Sequence, residues 1–250
     1  MMKKTVCLLV ALGMLFCGLS AQAAESSSAL QSSTFAEVLN TLGISLFAPG
    51  EAEDAAWSVI NEKIAQLTFA LDGVSYSLRA SGASAADDIS GMNFTEGEDE
   101  TVDVVGCTGG FRSQEGVGSR ILWYDALNGV AFSLGCQDKV IEKDAMVSEA
   151  SEAYRYCMQG ALVSLEADQG ENYVWAAMGN DAEKTIVSQP VNESGAYTFA
   201  IAPLSANIED TVTFVYYDPA QGLESATKQC TYQVVVDSNF FASLEEQAAG

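Results

Sequence analysis

Between Tyr173 and Asp237 apolar side chains recur at every second residue. Tyr197, Phe199 and Ile201 alternate with Ala196, Thr198 and Ala200. Val212, Phe214 and Tyr216 alternate with Thr211, Thr213 and Val215, and Tyr232, Val234 and Val236 with Thr231, Gln233 and Val235. A period of two, carried by β-branched and aromatic residues, describes strands buried on one face. Several such strands in a short stretch, with no helical pattern between them, predict a small β-sandwich. A scaffold of that kind seldom carries its own chemistry; it presents loops to a partner.

The same stretch carries a resemblance. The closing run 226–237, the segment Ser194-Gly195-Ala196-Tyr197-Thr198-Phe199 and the strand from Thr211 to Pro219 resemble the chagasin-type inhibitors of papain-like cysteine peptidases over roughly the last third of the chain. The resemblance implies an immunoglobulin-like β-sandwich with three loops at one end that wedge into a peptidase cleft. The family's Asn-Pro-Thr-Thr-Gly-Tyr-x-Trp loop corresponds to 168–175, where Gly170, Glu171, Asn172, Tyr173 and Trp175 stand and only the Tyr and Trp match. Its Arg-Pro-Trp loop corresponds to Asp218-Pro219-Ala220, and its Gly-rich loop is reduced to Gly195. The framework thus matches better than the inhibitory residues. The resemblance assigns Gly170, Glu171, Asn172, Tyr173, Trp175, Gly195, Asp218 and Pro219 to a partner-binding end.

At its start the chain reads as a secretory signal. Lys3 and Lys4 precede the apolar run Val6 to Leu19, and Ala21-Gln22-Ala23 is a small-residue cleavage site. Residues 1–23 are the expected signal peptide and 24–33 a flexible leader, which places the mature chain in the periplasm, the cell envelope or the medium. Cys7 and Cys17 leave with the signal. Cys107, Cys136, Cys157 and Cys230 remain, and an even number in an exported chain suggests disulfides. Strand-face parity favours Cys107–Cys136 and Cys157–Cys230; the alternative is four buried free thiols. Signal removal leaves nine basic residues against 34 acidic ones, a net charge of about −25 that repels nucleic acid and anionic lipid. There is no histidine, which excludes Ser-His-Asp and Cys-His catalysis and His-liganded zinc.

The first half mixes a helix with strands. Thr34 and Glu37 have capping-box spacing, Phe35, Val38, Leu39 and Leu42 share a helical face, and Gly43 is placed to end the helix. A second short helix is expected to include Ala55 to Ile60. Ala65, Leu67, Phe69 and Leu71, then Asp72-Gly73, then Val74, Tyr76 and Leu78 describe a hairpin. A later hairpin pairs Ile121 to Tyr124 with Val130 to Leu134 across Asn128-Gly129. The fold class is therefore mainly β: an α+β domain with an antiparallel sheet over 34–138, a linker over 139–153 that is either extended or helical, a sandwich over 154–238, and a tail over 239–250 that is either a frayed helix or a docking segment. With Ile64-Ala65-Gln66, Asp72-Gly73 and Asp88-Ile89-Ser90-Gly91-Met92, this half faintly resembles an uncharacterised domain of exported bacterial proteins. That likeness implies no activity.

Weighed individually, most candidate sites have a structural reading. Tyr173 and Trp175 serve either a partner or the sandwich core, since large aromatics beside a strand are usually buried. Asp218-Pro219 is first of all a turn opener. The acidic groups at 51–54, 87–88 and 96–100 lack calcium-loop order and read as solvated loops, with a glycosidase-type carboxylate pair as a distant alternative. No metal or cofactor site emerges. The sequence thus predicts an exported, non-catalytic protein that binds a protein partner, with a papain-like cysteine peptidase as the candidate. A cell-envelope or extracellular binding module without inhibitory activity is the alternative.

Overall fold

The computed structural model describes residues 30–85, 87–95, 97–137, 139–167 and 172–247. The expected signal peptide, most of the expected leader, and Gly170 and Glu171 of the candidate loop lie outside the described residues. The chain is mainly β, and its strands pair antiparallel. Among the described residues no helix is long and apolar enough to cross a membrane.

The first part is an eight-stranded sheet with two helices. In chain order these are β1 (Leu30–Ser33), α1 (Phe35–Leu42), β2 (Glu53–Ile60), β3 (Ile64–Leu71), β4 (Val74–Gly82), β5 (Glu100–Val104), β6 (Cys107–Gln114), β7 (Gly118–Asp125), β8 (Val130–Gln137) and α2 (Lys143–Tyr154). The sheet order is β1-β2-β3-β4-β8-β7-β6-β5, so two meanders meet where β4 pairs with β8. Both expected hairpins form. Asp72 and Gly73 have φ of 51° and 71°, the pair of positive values that joins strands with the right twist. Thr34 and Glu37 make the reciprocal capping box at α1, and Gly43 ends it at φ 68°. One sheet face, with Leu67, Phe69, Leu78, Ile121, Trp123, Phe132 and Leu134, is buried against Met146, Ala150, Ala153 and Tyr154 of α2.

A π-helical turn (Arg155–Gln159) leads into the second part: β9 (Ala161–Glu166), β10 (Val174–Gly179), β11 (Thr185–Val187), β12 (Val191–Glu193), β13 (Ala196–Pro203), β14 (Glu209–Tyr217), β15 (Lys228–Val236) and β16 (Ala242–Gln247). One sheet runs β10-β14-β15-β16. The other centres on β13, with β9 along one side and β11 then β12 along the other. Their facing side chains, among them Val163, Trp175, Phe199, Ile201, Val212, Phe214, Tyr216 and Val234, form a single apolar cluster. The three alternating runs seen in the sequence are β13, β14 and β15.

The two parts share a third cluster. Phe35 of α1, Phe47 and Tyr156 pack with Val191, Ala200 and Ala202. Strand β13 therefore buries both faces: Phe199 and Ile201 face the C-terminal cluster, while Ala200 and Ala202 face the N-terminal part. The Glu193 carboxylate accepts hydrogen bonds from the backbone N–H groups of Phe35 (2.7 Å) and Ala36 (3.2 Å), satisfying donors that a helix start leaves open. Arg155 adds a bond to the Pro203 carbonyl at 3.0 Å.

Two expectations require correction, the helix over 55–60 and the disulfides, and two others are decided between their alternatives. Residues 55–60 belong to β2, because Trp57 and Val59 turn to the core while the backbone pairs with β1 and β3. The segment expected as a linker, 139–153, holds most of α2, whose apolar face covers the sheet. The tail supplies β16, which pairs with β15 from Val236↔Ala242 to Thr231↔Gln247. The four cysteines are free, with no two within disulfide distance. Cys107 and Cys136 do share the core side, but β7 lies between their strands. Two strand spacings, about 10 Å, exceed the reach of a disulfide. Cys157 packs with the N-terminal cluster and Cys230 with the C-terminal one.

Candidate functional site

The antiparallel registers place three connections at one end of the C-terminal sheets. Strand β9 ends at Glu166, opposite the first residue of β13, Ala196. Strand β10 begins at Val174, opposite the last residue of β14, Tyr217, and β15 begins at Lys228, opposite Tyr216. The end of β9 with Ala167, the start of β10 with Asn172 and Tyr173, the Ser194-Gly195 turn and the 218–227 loop therefore lie together. The Ala167 N–H donates to the Gly195 carbonyl at 2.8 Å, and the Thr227 N–H to the Tyr216 carbonyl at 3.0 Å, tying loops to strands.

Aromatic side chains brace this end from beneath. Trp175 stacks on Tyr216 with centroids 5.1 Å apart and donates its Nε1–H to the Glu166 carbonyl at 3.0 Å. Tyr173 tilts onto Tyr216 at 5.4 Å, and Tyr197 donates its hydroxyl to the Tyr173 carbonyl at 3.3 Å. Trp175 is thus a buried brace rather than a contact surface, and Tyr173 is half-buried. Asn172 is exposed beside it. The Ser194-Gly195 turn is also exposed, and its φ values of 52° and 81° define another tight positive-φ turn.

Asp218 faces inward. It is 5% exposed, and its carboxylate accepts hydrogen bonds from the Ala220 N–H (2.9 Å) and the Gln221 Nε2 (2.5 Å). The Ser225 hydroxyl donates to the Gly222 carbonyl at 2.7 Å, and the Asp218 N–H donates to that hydroxyl at 2.9 Å. The loop is held by its own polar groups, so Pro219, Ala220, Gln221 and Leu223 stand outside. Leu223 is 49% exposed on a single 3-10 turn. No periodic signal marks Leu223; only the closed hydrogen-bond set around Asp218 shows that the loop carries it outward.

Elsewhere the structure pairs acids that the sequence suggests are solvated. Residues 87–95 and 97–99 lie on the polar face of the eight-stranded sheet. Asp88 pairs with Arg120, and Asp99 pairs with Arg112 at 2.6 Å and Arg120 at 3.2 Å. Phe94 lies against both guanidiniums, at 5.9 and 5.0 Å. Burial alone would raise the Asp88 carboxyl; hydrogen bonds from Ser90 and the Arg120 guanidinium outweigh it and hold the group below its ordinary range. Arg79 donates to Gln66 (2.7 Å) and to the Ile89 carbonyl (2.9 Å), which fastens the 87–95 segment at a second point. Glu96 lies outside the described residues. Among the described residues no group of three Cys, Asp or Glu side chains is disposed to hold a metal ion. Compared with family models, curated proteins and solved structures, the chain matches none.

Proposed function

We propose that this is an exported, non-catalytic binding protein. In this reading its C-terminal part is an immunoglobulin-like sandwich of chagasin type, and its loop end grips a protein partner. The observation that carries the reading is the convergence of three connections at one end, braced by Trp175, Tyr216, Tyr173 and Tyr197. Rigid scaffolds concentrate recognition on such loops, and a loop closed on its own hydrogen bonds before binding, as 218–227 is, loses less entropy on association. The outward set is Asn172, Gly195, Pro219 and Leu223, with Asp218 and Trp175 acting from below as supports.

The absence of histidine supports the non-catalytic half of the reading. So does the engagement of Asp88 by Ser90 and Arg120, since a general acid needs a carboxyl raised toward neutrality rather than one held low. The net charge favours a partner with a cationic surface. The family's Arg and second Trp are missing from this loop end. Interface Arg and Trp are common hot spots worth ~2 kcal/mol or more each, so inhibition of papain itself is expected to be weak.

Titration of the purified chain against a panel of papain-like peptidases tests the proposal. Inhibition that is lost in Leu223→Asp and Pro219→Ala, both at exposed positions, supports it. No inhibition of any member removes the peptidase reading and leaves the binding module without inhibitory activity.

A further inference from the structure

Strand β10 is a sheet edge of unusual composition for this chain. Among the described residues it pairs only with β14. Its six residues, Val174-Trp175-Ala176-Ala177-Met178-Gly179, include no charge and no proline. The other long edges are protected. Strand β5 carries Glu100 and Asp103, β16 carries Glu245 and Glu246, and β9 ends on Glu166. The β11–β12 edge is broken at 188–190, where Ser188 takes the place of a strand partner: its N–H donates to the Ala200 carbonyl and its Oγ accepts from the Ala200 N–H, both at 2.9 Å. Strand β10 carries one irregularity, a register shift against β14 between Ala177 and Gly179, so its regular stretch is Val174–Ala177. Uncharged edges invite strand addition, and natural sheets usually block them.

Beside β10 the two sheets part. A cleft of about 440 Å³ opens between β10 and the 187–190 segment, and Trp175, Val187, Pro190, Tyr197 and Phe199 are among its walls. Phe199 and Trp175 are core residues, so the cleft reaches the edge of the apolar cluster. Strand addition draws affinity from backbone hydrogen bonds and specificity from pockets that receive alternate side chains. Here an open edge lies beside a cleft whose walls are part apolar and part polar, with Asn180, Ser188 and Gln189 beside the aromatic residues.

We infer that β10 and this cleft receive an extended segment of a partner polypeptide, with apolar residues at alternate positions and Lys or Arg at its flanks. Charge argues for those flanks. Exposed Glu166 stands at one end, its carbonyl bonded to Trp175, and Asp181 and Glu183 follow the cleft-lining Asn180 at the other. Lys184 balances only Asp181, at 3.5 Å. Charge also argues against a second copy, because 34 acidic residues against 11 basic ones make two chains repel. The inference rests on the reading of a protein partner but uses the strand edge rather than the loop tips.

The test uses the full exported chain and a labelled peptide, Lys-Lys-Val-Thr-Val-Thr-Val-Lys-Lys, read by fluorescence polarisation and amide hydrogen exchange. Saturable binding that protects the β10 amides is the expected result. The double variant Ala176→Lys and Met178→Lys, which puts charge on the edge, should weaken binding by about tenfold or more. Leu223→Asp should leave it unchanged, which separates this edge from the loop-end reading. Absence of binding, protection confined to residues away from β10, or equal binding of a Glu-flanked peptide overturns the inference. So does a concentration-dependent dimer that protects β10 without peptide, since that makes a second copy the occupant.

Discussion

Single carboxylates and thiols here set local order and pH response. Asp218 organises its loop, so Asp218→Ala leaves the Ala220 N–H and the Gln221 amide without their acceptor. Both partners are exposed and can turn to water, so the cost is that of ordinary hydrogen bonds, about 0.5–1.5 kcal/mol each. The expected result is a lower urea midpoint at unchanged slope, with weaker partner binding. Asp125 behaves like Asp88. Burial alone would raise it, but hydrogen bonds from Asn128, Leu127 and the Tyr154 hydroxyl hold it low. A carboxyl held low in the folded state adds stability above its unfolded value, and that stability is lost as pH falls through the folded value. Acid titration should therefore show destabilisation beginning below about pH 4; Asp125→Asn should be less stable at neutral pH and lose less stability on acidification, because the titrating group is gone. The thiols act at the other end of the scale. Burial pushes Cys157 up to about 12 and Cys230 up to about 11, from 9.0. The unfolded chain releases those protons first, so stability falls as pH rises from 9 toward these values. At pH 8 the native thiols should react slowly with a disulfide reagent, and all four should react after unfolding. A Cys107–Cys136 or Cys157–Cys230 peptide in non-reducing mapping would overturn the free-thiol arrangement.

At the scale of elements, the start of α1 is the most informative. The eight-residue helix is too short to persist in isolation, so its stability derives from caps and docking. Thr34 and Glu37 cap it locally, and Glu193 caps it from the C-terminal part. Glu193→Ala should lower stability by about 1 kcal/mol, the usual range for a lost N-terminal cap. In a double-mutant cycle with Phe47→Ala, the two changes should be non-additive, because both loosen the seat of α1. Chemical denaturation of the four proteins measures this, and strict additivity would place Glu193 outside the junction. Strand β16 illustrates the same dependence in reverse. Its sequence, Ala-Ser-Leu-Glu-Glu-Gln, has little strand character of its own, and pairing with β15 supplies its conformation.

For the molecule as a whole, the junction cluster predicts cooperativity. Phe35, Phe47 and Tyr156 cover Val191, Ala200 and Ala202, so the N-terminal part is the lid on one face of β13. A fragment covering 161–247 exposes that face and loses the Glu193 and Arg155 bonds. It should be less stable than the full chain or self-associate. The intact protein should unfold in a single transition, coincident by tryptophan fluorescence and far-ultraviolet circular dichroism. Two separated transitions would mean that the junction contributes little. Limited proteolysis should spare 143–154, since α2 is packed along one side.

The features legible in the sequence were those that depend on near neighbours. Alternation in β13, β14 and β15 follows from the two-residue period of a strand. The Asp72-Gly73 and Asn128-Gly129 turns and the Thr34–Glu37 cap follow from side-chain chemistry within four residues. Tertiary structure decided what depends on distant partners. It made 55–60 a strand by giving it neighbours on both sides. It docked the 143–154 helix on the sheet as part of the core, although the segment is only weakly amphipathic. It put β7 between Cys107 and Cys136, which residue parity cannot reveal. It turned Asp218 inward and Leu223 outward, because closing a loop on its own carboxylate selects which side chains remain for a partner. Periodicity specifies which face of a strand is apolar; only the assembled sheets specify what that face meets.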